Sequence, residues 1–453
     1  MMSLTNKKIL VLGLGVTGIS TIKALYKLGA RIIVSDTKNE ESLANVLKEI
    51  SDIPIELHLN SNDIDLTMVD LVIKSPGIPP TSNLVKKAIE NNIEVITDIE
   101  LAYRISPTKN IIAITGTNGK TTCTVLTGEI FKNANYNTHV VGNVGVGILD
   151  KMLEATKDDI FVIEASSFQL EHTSSFKPKV SLITNITPDH INWHGSLENY
   201  IVSKLKILKN QDINDFIILN HDDKLLRQLK GEVNGKIIWF SVRDILSEGV
   251  YIENDFIVIN DGVKKLVLMS SKDLKIIGKH NLENVLGCIG IAVAMNLDLD
   301  IVRESLINFQ GVEHRIEFVV NKKGVSFYND SKGTNPDASI KAIEAVKEPI
   351  ILIAGGYDKK SSYDDFIKAF NKKVKALILF GQTKDIIKEA AMANGYNSVY
   401  LVNDLKEAIS LAFSIAKEKD NVLLSPACAS WDMYSNFEER GRDFKKIVFS
   451  LLE

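Results

Sequence analysis

The segment Gly116-Thr117-Asn118-Gly119-Lys120-Thr121-Thr122 sets two glycines, a lysine and two hydroxyls directly after the apolar run "NIIAIT". These residue types at this spacing suit the phosphates of a nucleotide. The glycines let backbone N–H groups face anionic oxygens, Lys120 brings a point charge, and Thr121 can ligate Mg2+. The order is G-x-x-G-K-T, shorter than the usual G-x-x-x-x-G-K-[ST], because Ile114 stands where the longer form has glycine. A glycine turn that only caps a helix is the plain alternative. Earlier in the chain, Gly13, Gly15 and Gly18 form G-x-G-x-x-G within "ILVLGLGVTGIS", and Asp36 closes the next apolar run 18 residues past Gly18. That is the setting of a dinucleotide fingerprint, with a helix N-terminus for a pyrophosphate and a carboxylate for sugar hydroxyls or a base N–H. The motif fits NAD, another nucleotide diphosphate, or a purely structural turn. Two such loops make sense together if one nucleotide is consumed and the other is held as a handle.

A divalent ion at Thr121 needs further ligands from the ends of neighbouring strands. "FVIEASS" offers Glu164, and "ITNITPDH" offers Asp189 and His190. A carboxylate suits hard Mg2+, whereas a lone histidine is more often structural. In "LENYIVSKLKILKN", Ile201, Leu205 and Leu208 make an apolar stripe with Lys204 beside Ile201. A lysine so placed usually lays its stem on the surface, and the pattern does not choose between Lys204, Lys206 and Lys209 for a chemical role.

The elements that must position these groups read as three alternations. "KILVLG" is a strand, "TGISTIKALYKLG" a helix closed by Gly29, and "ARIIVSD" a second strand. "VDLVIKSPG" and "IEVIT" repeat the strand pattern around the helical "SNLVKKAIENN", giving a doubly wound, mostly parallel sheet. A second series runs through "NIIAITG", "DIFVIEASS", "PKVSLITNI" and "DFIILN". It then changes character: Asn/Asp/Gly turns in "GVYIENDFIVINDGVKKLVLM" predict an antiparallel meander, followed by helices in "HNLENVLGCIGIAVAMNL" and "DIVRESLINF". "IEFVV", "GVSFYND", "PIILIAGG", "VKALILFG" and "NVLLSPA" form the third series. The expectation is three consecutive α/β domains: Rossmann-like over 1–98, central and P-loop ATPase-like with the meander over 99–310, and Rossmann-like over 311–453.

Composition narrows the classes. A chain of 453 residues, 45% hydrophobic and 24% charged, is ordinary for several globular domains. The net charge of −4 gives nucleic acid no footing, so anionic substrates must be met by local cations. Cys123, Cys288 and Cys428 are too scattered for disulfides or a zinc site and read as buried, inert thiols of a reducing compartment. No run approaches the roughly 18 apolar residues of a membrane helix. Lys7 and Lys8 lead into a strand, turn and helix rather than a cleavable leader. A soluble, cytoplasmic monomer without membrane or nucleic-acid partners is expected.

"TGTNGKTT", "EASSFQLE", "NITPDHINWHGS", "YIVSKLKIL", "GKHNLENV", "EHRIE", "NDSKGTNPDAS" and "SPACASWDMYSNFEERG" occur in the order seen in Mur ligases, over nearly the whole chain. "DSKGTN", "SPACASWD" and the first glycine loop resemble the D-glutamate-adding members. The resemblance implies an ATP-dependent ligation of UDP-N-acetylmuramoyl-L-alanine to D-glutamate through an acyl phosphate and a tetrahedral intermediate. It makes Gly116, Thr117, Asn118, Gly119, Lys120, Thr121 and Thr122 an ATP loop, aided by His280, Asn281 and Asn284 near adenine and by Arg315 and Asp330 near phosphate and ribose. Thr121 and Glu164 would bind one Mg2+ and His190 a second, with Lys204 carrying a CO2-derived carbamate that ligates metal. Gly15, Val16, Thr17, Asp36, Thr37, Ser75 and Gly77 match contacts to the uridine diphosphate, and Asn143 and Ser166 match contacts near the muramyl-alanine end. Thr334, Lys360, Ser430 and Phe437 match D-glutamate contacts, with Lys332 nearby and Lys359 equal in charge to Lys360; Trp431 either packs on the acceptor or fills core. A folylpolyglutamate synthase would not need a UDP grip. An NAD(P)-dependent oxidoreductase would leave Glu164, His190 and Lys204 without a task. A non-catalytic nucleotide switch would release no substrate-dependent phosphate.

Overall fold

The computed structural model describes residues 3–60, 64–143, 147–276 and 278–451. The chain forms two compact units, Met1–Asp273 with Leu282–Leu306, and Leu274–Asn281 with Ile307–Glu453.

The first unit holds two sheets. One has five strands in the order Ile55–Leu59, Arg31–Asp36, Lys8–Leu12, Leu71–Lys74, Val95–Ile96, all parallel. The other has nine, in the order Lys265–Ser270, Phe256–Asn260, Gly249–Glu253, Lys236–Ser241, Phe216–Asn220, Val180–Ile183, Ile111–Thr115, Ile160–Glu164, Thr138–Gly142. Its interior strand Ile111–Thr115 is buried at every residue, as a parallel strand covered on both faces must be. The predicted meander is present as antiparallel pairs, and it joins the parallel strands through Gly249–Glu253 on Lys236–Ser241.

The two sheets share one core. Ile9, Val34, Ile99, Leu101, Ile105, Ile111, Phe161 and Ile163 fall in a single buried cluster. The junction also has a polar part: Thr97 Oγ1 donates to Gln169 O at 2.7 Å, and the Gln169 amide donates to both oxygens of buried Asp98.

The second unit contains a six-stranded sheet, Glu317–Lys322, Val325–Asn329, Asn421–Leu424, Ile350–Ala354, Val374–Leu379, Val399–Leu401. Only the edge pair Glu317–Lys322 with Val325–Asn329 is antiparallel; the rest run parallel. The three cysteines are free and buried, as the sequence predicts. Among the described residues no helix is long and apolar enough to cross a membrane.

Candidate active site

In the first sheet the chain order reverses between Lys8–Leu12 and Leu71–Lys74, which is where parallel sheets open a crevice at their strand ends. Gly13, Gly15 and Ser75–Gly77 lie at those ends. Gly13 takes φ +92°, and a Cβ at Gly18 would collide with Gly13 O. Asp36 organises the loop: one carboxylate oxygen accepts from Leu14 N at 2.7 Å and the other from Lys38 N at 2.8 Å. Ser75 Oγ donates to Gly13 O at 3.1 Å. A Cβ on Gly15 or Gly77 would meet nothing within 4 Å, and Val16 and Thr37 are exposed while Thr17 is half-buried. The loop is therefore braced from behind and open in front.

The second loop sits between the ends of Ile160–Glu164 and Val180–Ile183, so those strands deliver their following residues to the same edge. Thr117 N and Asn118 N donate to Asn185 O and Oδ1 at 2.9 and 3.0 Å, and Thr184 Oγ1 donates to Asn118 O at 2.5 Å. Gly119, at φ +86°, caps the helix Lys120–Asn133, and any Cβ there would strike Asn284 Oδ1. Neither this helix nor Val16–Lys27 has a side-chain acceptor at its start, whereas Asn39, Asn335, Asp404 and Asn436 cap theirs. With glycine rather than an Asx or Ser/Thr acceptor at the cap, the starts of these two helices suit an external anion.

Lys120 Nζ donates to Gly116 O and Thr117 O at 2.9 and 2.8 Å, and Lys204 Nζ donates to the same Gly116 O at 2.7 Å. The snorkelling expectation for Lys204 fails: it is 2% exposed, because the buried face of helix Leu197–Leu205 is Tyr200, Ser203 and Lys204 rather than Ile201 and Leu205. Lys206 instead pairs with Glu171 at 3.1 Å, and Lys209 is exposed. Burial first, and then the neighbouring Lys120 ammonium, push Lys204 down to about 6, while Asp189 and Glu164 pull it back.

Glu164 is 1% exposed. Its Oε1 accepts from Asn143 Nδ2 at 3.1 Å, but Oε2 has no partner. A buried carboxylate oxygen left unsatisfied on the strand paired with the one that leads into the phosphate loop is what a hard cation would complete, so the residues fit Mg2+. His190 is exposed, takes φ +51° at the cap of the short helix Ile191–His194, and lies 3.4 Å from Asp189 Oδ2. Ser166 is already engaged as a helix cap in a reciprocal box with Gln169.

In the second unit, Asp330 follows strand Val325–Asn329 and is buried. Its oxygens accept from Ser425 Oγ at 2.7 Å and Ile316 N at 3.2 Å; burial raises it to about 7 against the pull of Ser425 and Arg315. Arg315 Nε is buried with no partner. His280 and Asn281 belong to this unit, while Asn284 lies in the first.

Of the two adjacent lysines, both exposed, Lys359 is the one directed at the Thr334 loop: Nζ is 3.4 Å from Thr334 O and 5.3 Å from the Trp431 ring centre. Lys360 adopts φ +59° with its N–H held by Asp358. Trp431 is 63% exposed, so it does not fill core. Ser430 is buried, and Lys332 Nζ lies 5.6 Å from the Phe437 ring centre.

Sequence reasoning missed Arg440. Its buried guanidinium donates to Ser331 Oγ and O at 3.0 and 2.8 Å and to Ala429 O and Cys428 O, each at 3.2 Å, tying the Ser331 and Ser430 loops together. The only sequence signal was a charged residue three positions past Phe437 on a helix with an apolar face.

The folds and loops define a nucleotide-binding α/β protein with two phosphate-ready helix ends. Family models described as the Mur ligase MurD-like N-terminal domain, the Mur ligase middle domain and the Mur ligase glutamate ligase domain match residues 7–97, 114–292 and 314–428. The chain belongs to the Mur ligase family. A protein of Alkaliphilus oremlandii named UDP-N-acetylmuramoylalanine–D-glutamate ligase is 49% identical, covering 99% of this chain and all of its own. One of Alkaliphilus metalliredigens with the same name is 48% identical, covering 99% of each. Among solved structures, the UDP-N-acetylmuramate-alanine ligase MurC of Thermotoga maritima shares the fold, with TM-score 0.59, 21% identity, and 98% and 99% of the two chains covered.

Proposed function

We propose that this protein is the ATP-dependent ligase that joins D-glutamate to UDP-N-acetylmuramoyl-L-alanine in peptidoglycan precursor synthesis. The observation that carries the reading is the convergence of Lys120 and Lys204 on Gly116 O, close to a buried Glu164 whose Oε2 lacks a partner. Full-length relatives bearing that ligase name support it.

A carboxylate is a poor electrophile, so the alanyl carboxylate oxygen first attacks the γ-phosphorus of ATP, forming an acyl phosphate and releasing ADP. The amine of D-glutamate then adds to the acyl carbon, loses a proton, and phosphate leaves as the amide forms. The first step gathers negative charge, which Lys120 and the first-turn N–H groups of helix Lys120–Asn133 neutralise. Bound Mg2+ would add charge compensation for the same oxygens, held by Thr121 and Glu164, with His190 and a Lys204 carbamate for a second ion. The neutral amine favoured by burial of Lys204 is the form that adds CO2, losing a proton to become an anionic carbamate.

In the N-terminal domain, residues 1–98, Gly15, Val16, Thr17, Asp36, Thr37, Ser75 and Gly77 hold the uridine diphosphate as a handle. Asn143 orients Glu164 and, with Ser166, borders the muramyl-alanine end. In the C-terminal domain, residues 311–453, unpartnered Arg315 Nε suits a phosphate oxygen, and Asp330 suits a ribose hydroxyl. Thr334, Ser430 and the Phe437 backbone receive D-glutamate, and Lys359, rather than Lys360, meets its second carboxylate.

Phosphate release from ATP is measured with Mg2+ and with each of the two substrates present or absent. Release that requires both supports the ligase; release independent of them, with NADH binding, would remove it.

A further inference from the structure

Lys74 ends the strand Leu71–Lys74 and is 1% exposed. Among the described residues no carboxylate forms an ion pair with it. Nζ donates to Ile78 O at 2.8 Å, and Ile78 N donates to Ser75 O at 3.1 Å, so the ammonium staples Ser75–Ile78 into a closed turn. From the other side Trp193 Nε1 donates to Gly77 O at 3.4 Å, and the Lys74 ammonium lies 5.3 Å from the centre of the Trp193 ring. Trp193 belongs to the helix Ile191–His194, whose cap is His190. Phe168 packs on both rings, with centroids 4.6 Å from Trp193 and 4.8 Å from His190.

The proposed reaction uses none of Lys74, Trp193 or Phe168. An ammonium buried without a carboxylate destabilises the fold, and burial pushes Lys74 down to about 8 against the pull of Glu171 and Asp98. Stability alone therefore gives no reason for a lysine here, whereas fixing a loop does.

We propose that Lys74 and Trp193 are positioning residues that hold the Ser75–Gly77 loop in register with the His190 segment, so that one set of contacts aligns the muramyl end of the UDP-linked substrate with the ion-binding side chains. The inference rests on the reading of Ser75–Gly77 as a contact for that substrate.

The test uses the full chain as wild type, Lys74→Met, Trp193→Phe and the double variant. Lys74→Met removes the charge at similar length; Trp193→Phe keeps a ring and removes the N–H. Calorimetric titration gives the affinity for UDP-N-acetylmuramoyl-L-alanine. Initial rates give KM for each substrate and the Mg2+ needed for half-maximal rate, and melting temperature scores folding. Each single variant is expected to loosen the UDP-linked substrate roughly three- to tenfold, the worth of one hydrogen bond, and to raise the Mg2+ requirement. KM for D-glutamate stays within about twofold, and the double variant loses less than the product of the singles because the two residues act on one turn. UDP-substrate affinities within twofold of wild type overturn the inference and leave the reading of the loop intact. So do losses that track a lowered melting temperature and shift every KM alike. Failure of the wild-type chain itself to bind the UDP-linked substrate removes both.

Discussion

Replacing Asp330 by asparagine should stabilise the second unit while impairing the enzyme, and the structure fixes how the gain depends on pH. Asp330 is buried, and burial raises its carboxyl from the usual 3.8 to about 7. A carboxyl whose folded pKa exceeds its unfolded one contributes no penalty below about pH 4. The penalty grows as pH climbs toward 7 and is complete above it. Roughly three pH units at about 1.4 kcal/mol each give about 4 kcal/mol as the full penalty. Asparagine keeps the shape, can still accept from Ile316 N, and can donate to Ser425 Oγ, so most of that penalty is removed. For a unit of this size, about 4 kcal/mol corresponds to roughly 10 °C in melting temperature. Calorimetric unfolding of the full chain at about pH 3.5, 6 and 8, one setting per regime, should show Asp330→Asn and wild type melting nearly together at the acid end and separating steadily above it. KM for ATP should rise in the same variant. A melting difference independent of pH, or a variant that melts lower at pH 8, refutes the burial argument.

Three further outcomes follow from the site geometry. Lys359→Met should raise KM for D-glutamate about tenfold or more, the worth of a charge-assisted hydrogen bond, while Lys360→Met changes it less than about twofold; steady-state kinetics on the pair decides between them. Lys204→Ala should lose most of its rate and regain part of it with short carboxylates at high concentration, which phosphate release will read; no rescue counts against an anion at that position. Asp36→Ala frees the N–H groups of Leu14 and Lys38 from their shared acceptor. It should weaken the UDP-linked substrate by roughly tenfold in calorimetric titration, with ATP affinity unchanged.

What the sequence discloses of the fold depends on how completely each strand is enclosed. Ile111–Thr115, Ile160–Glu164, Val180–Ile183 and Ile350–Ala354 are buried throughout, and each reads as a mostly apolar run, broken only by Ser181 or by a polar last residue. Ile55–Leu59 and Thr138–Gly142 lie at sheet edges with half-exposed residues, and Lys236–Ser241 carries a lysine and a serine at its ends. Their patterns blur into loop. Val399–Leu401 is too short to show any period. The glycine loops were legible for a stronger reason. Gly13 and Gly119 take positive φ, and at Gly119 a side chain would also collide with Asn284, so backbone geometry itself demands the residue type.

The cations are where pattern reading fails, and they fail it in one way. A charge beside an apolar stripe is read as facing water, yet Lys74, Lys204 and Arg440 are among the largest fully buried side chains. Each is satisfied by main-chain carbonyls rather than by a paired carboxylate: Ile78 O for Lys74, Gly116 O for Lys204, and Ser331, Cys428 and Ala429 carbonyls for Arg440. Carbonyl dipoles stabilise a cation only in part, which is why burial still pushes all three below their usual pKa. The arrangement does two things at once. It fixes loops whose backbones carry no side chain able to hold them, and at Lys74 and Arg440 it leaves the positive charge without a carboxylate to cancel it. No local spacing in the sequence can record that choice, because the acceptors are backbone atoms and, for Lys204, belong to a loop 88 residues away.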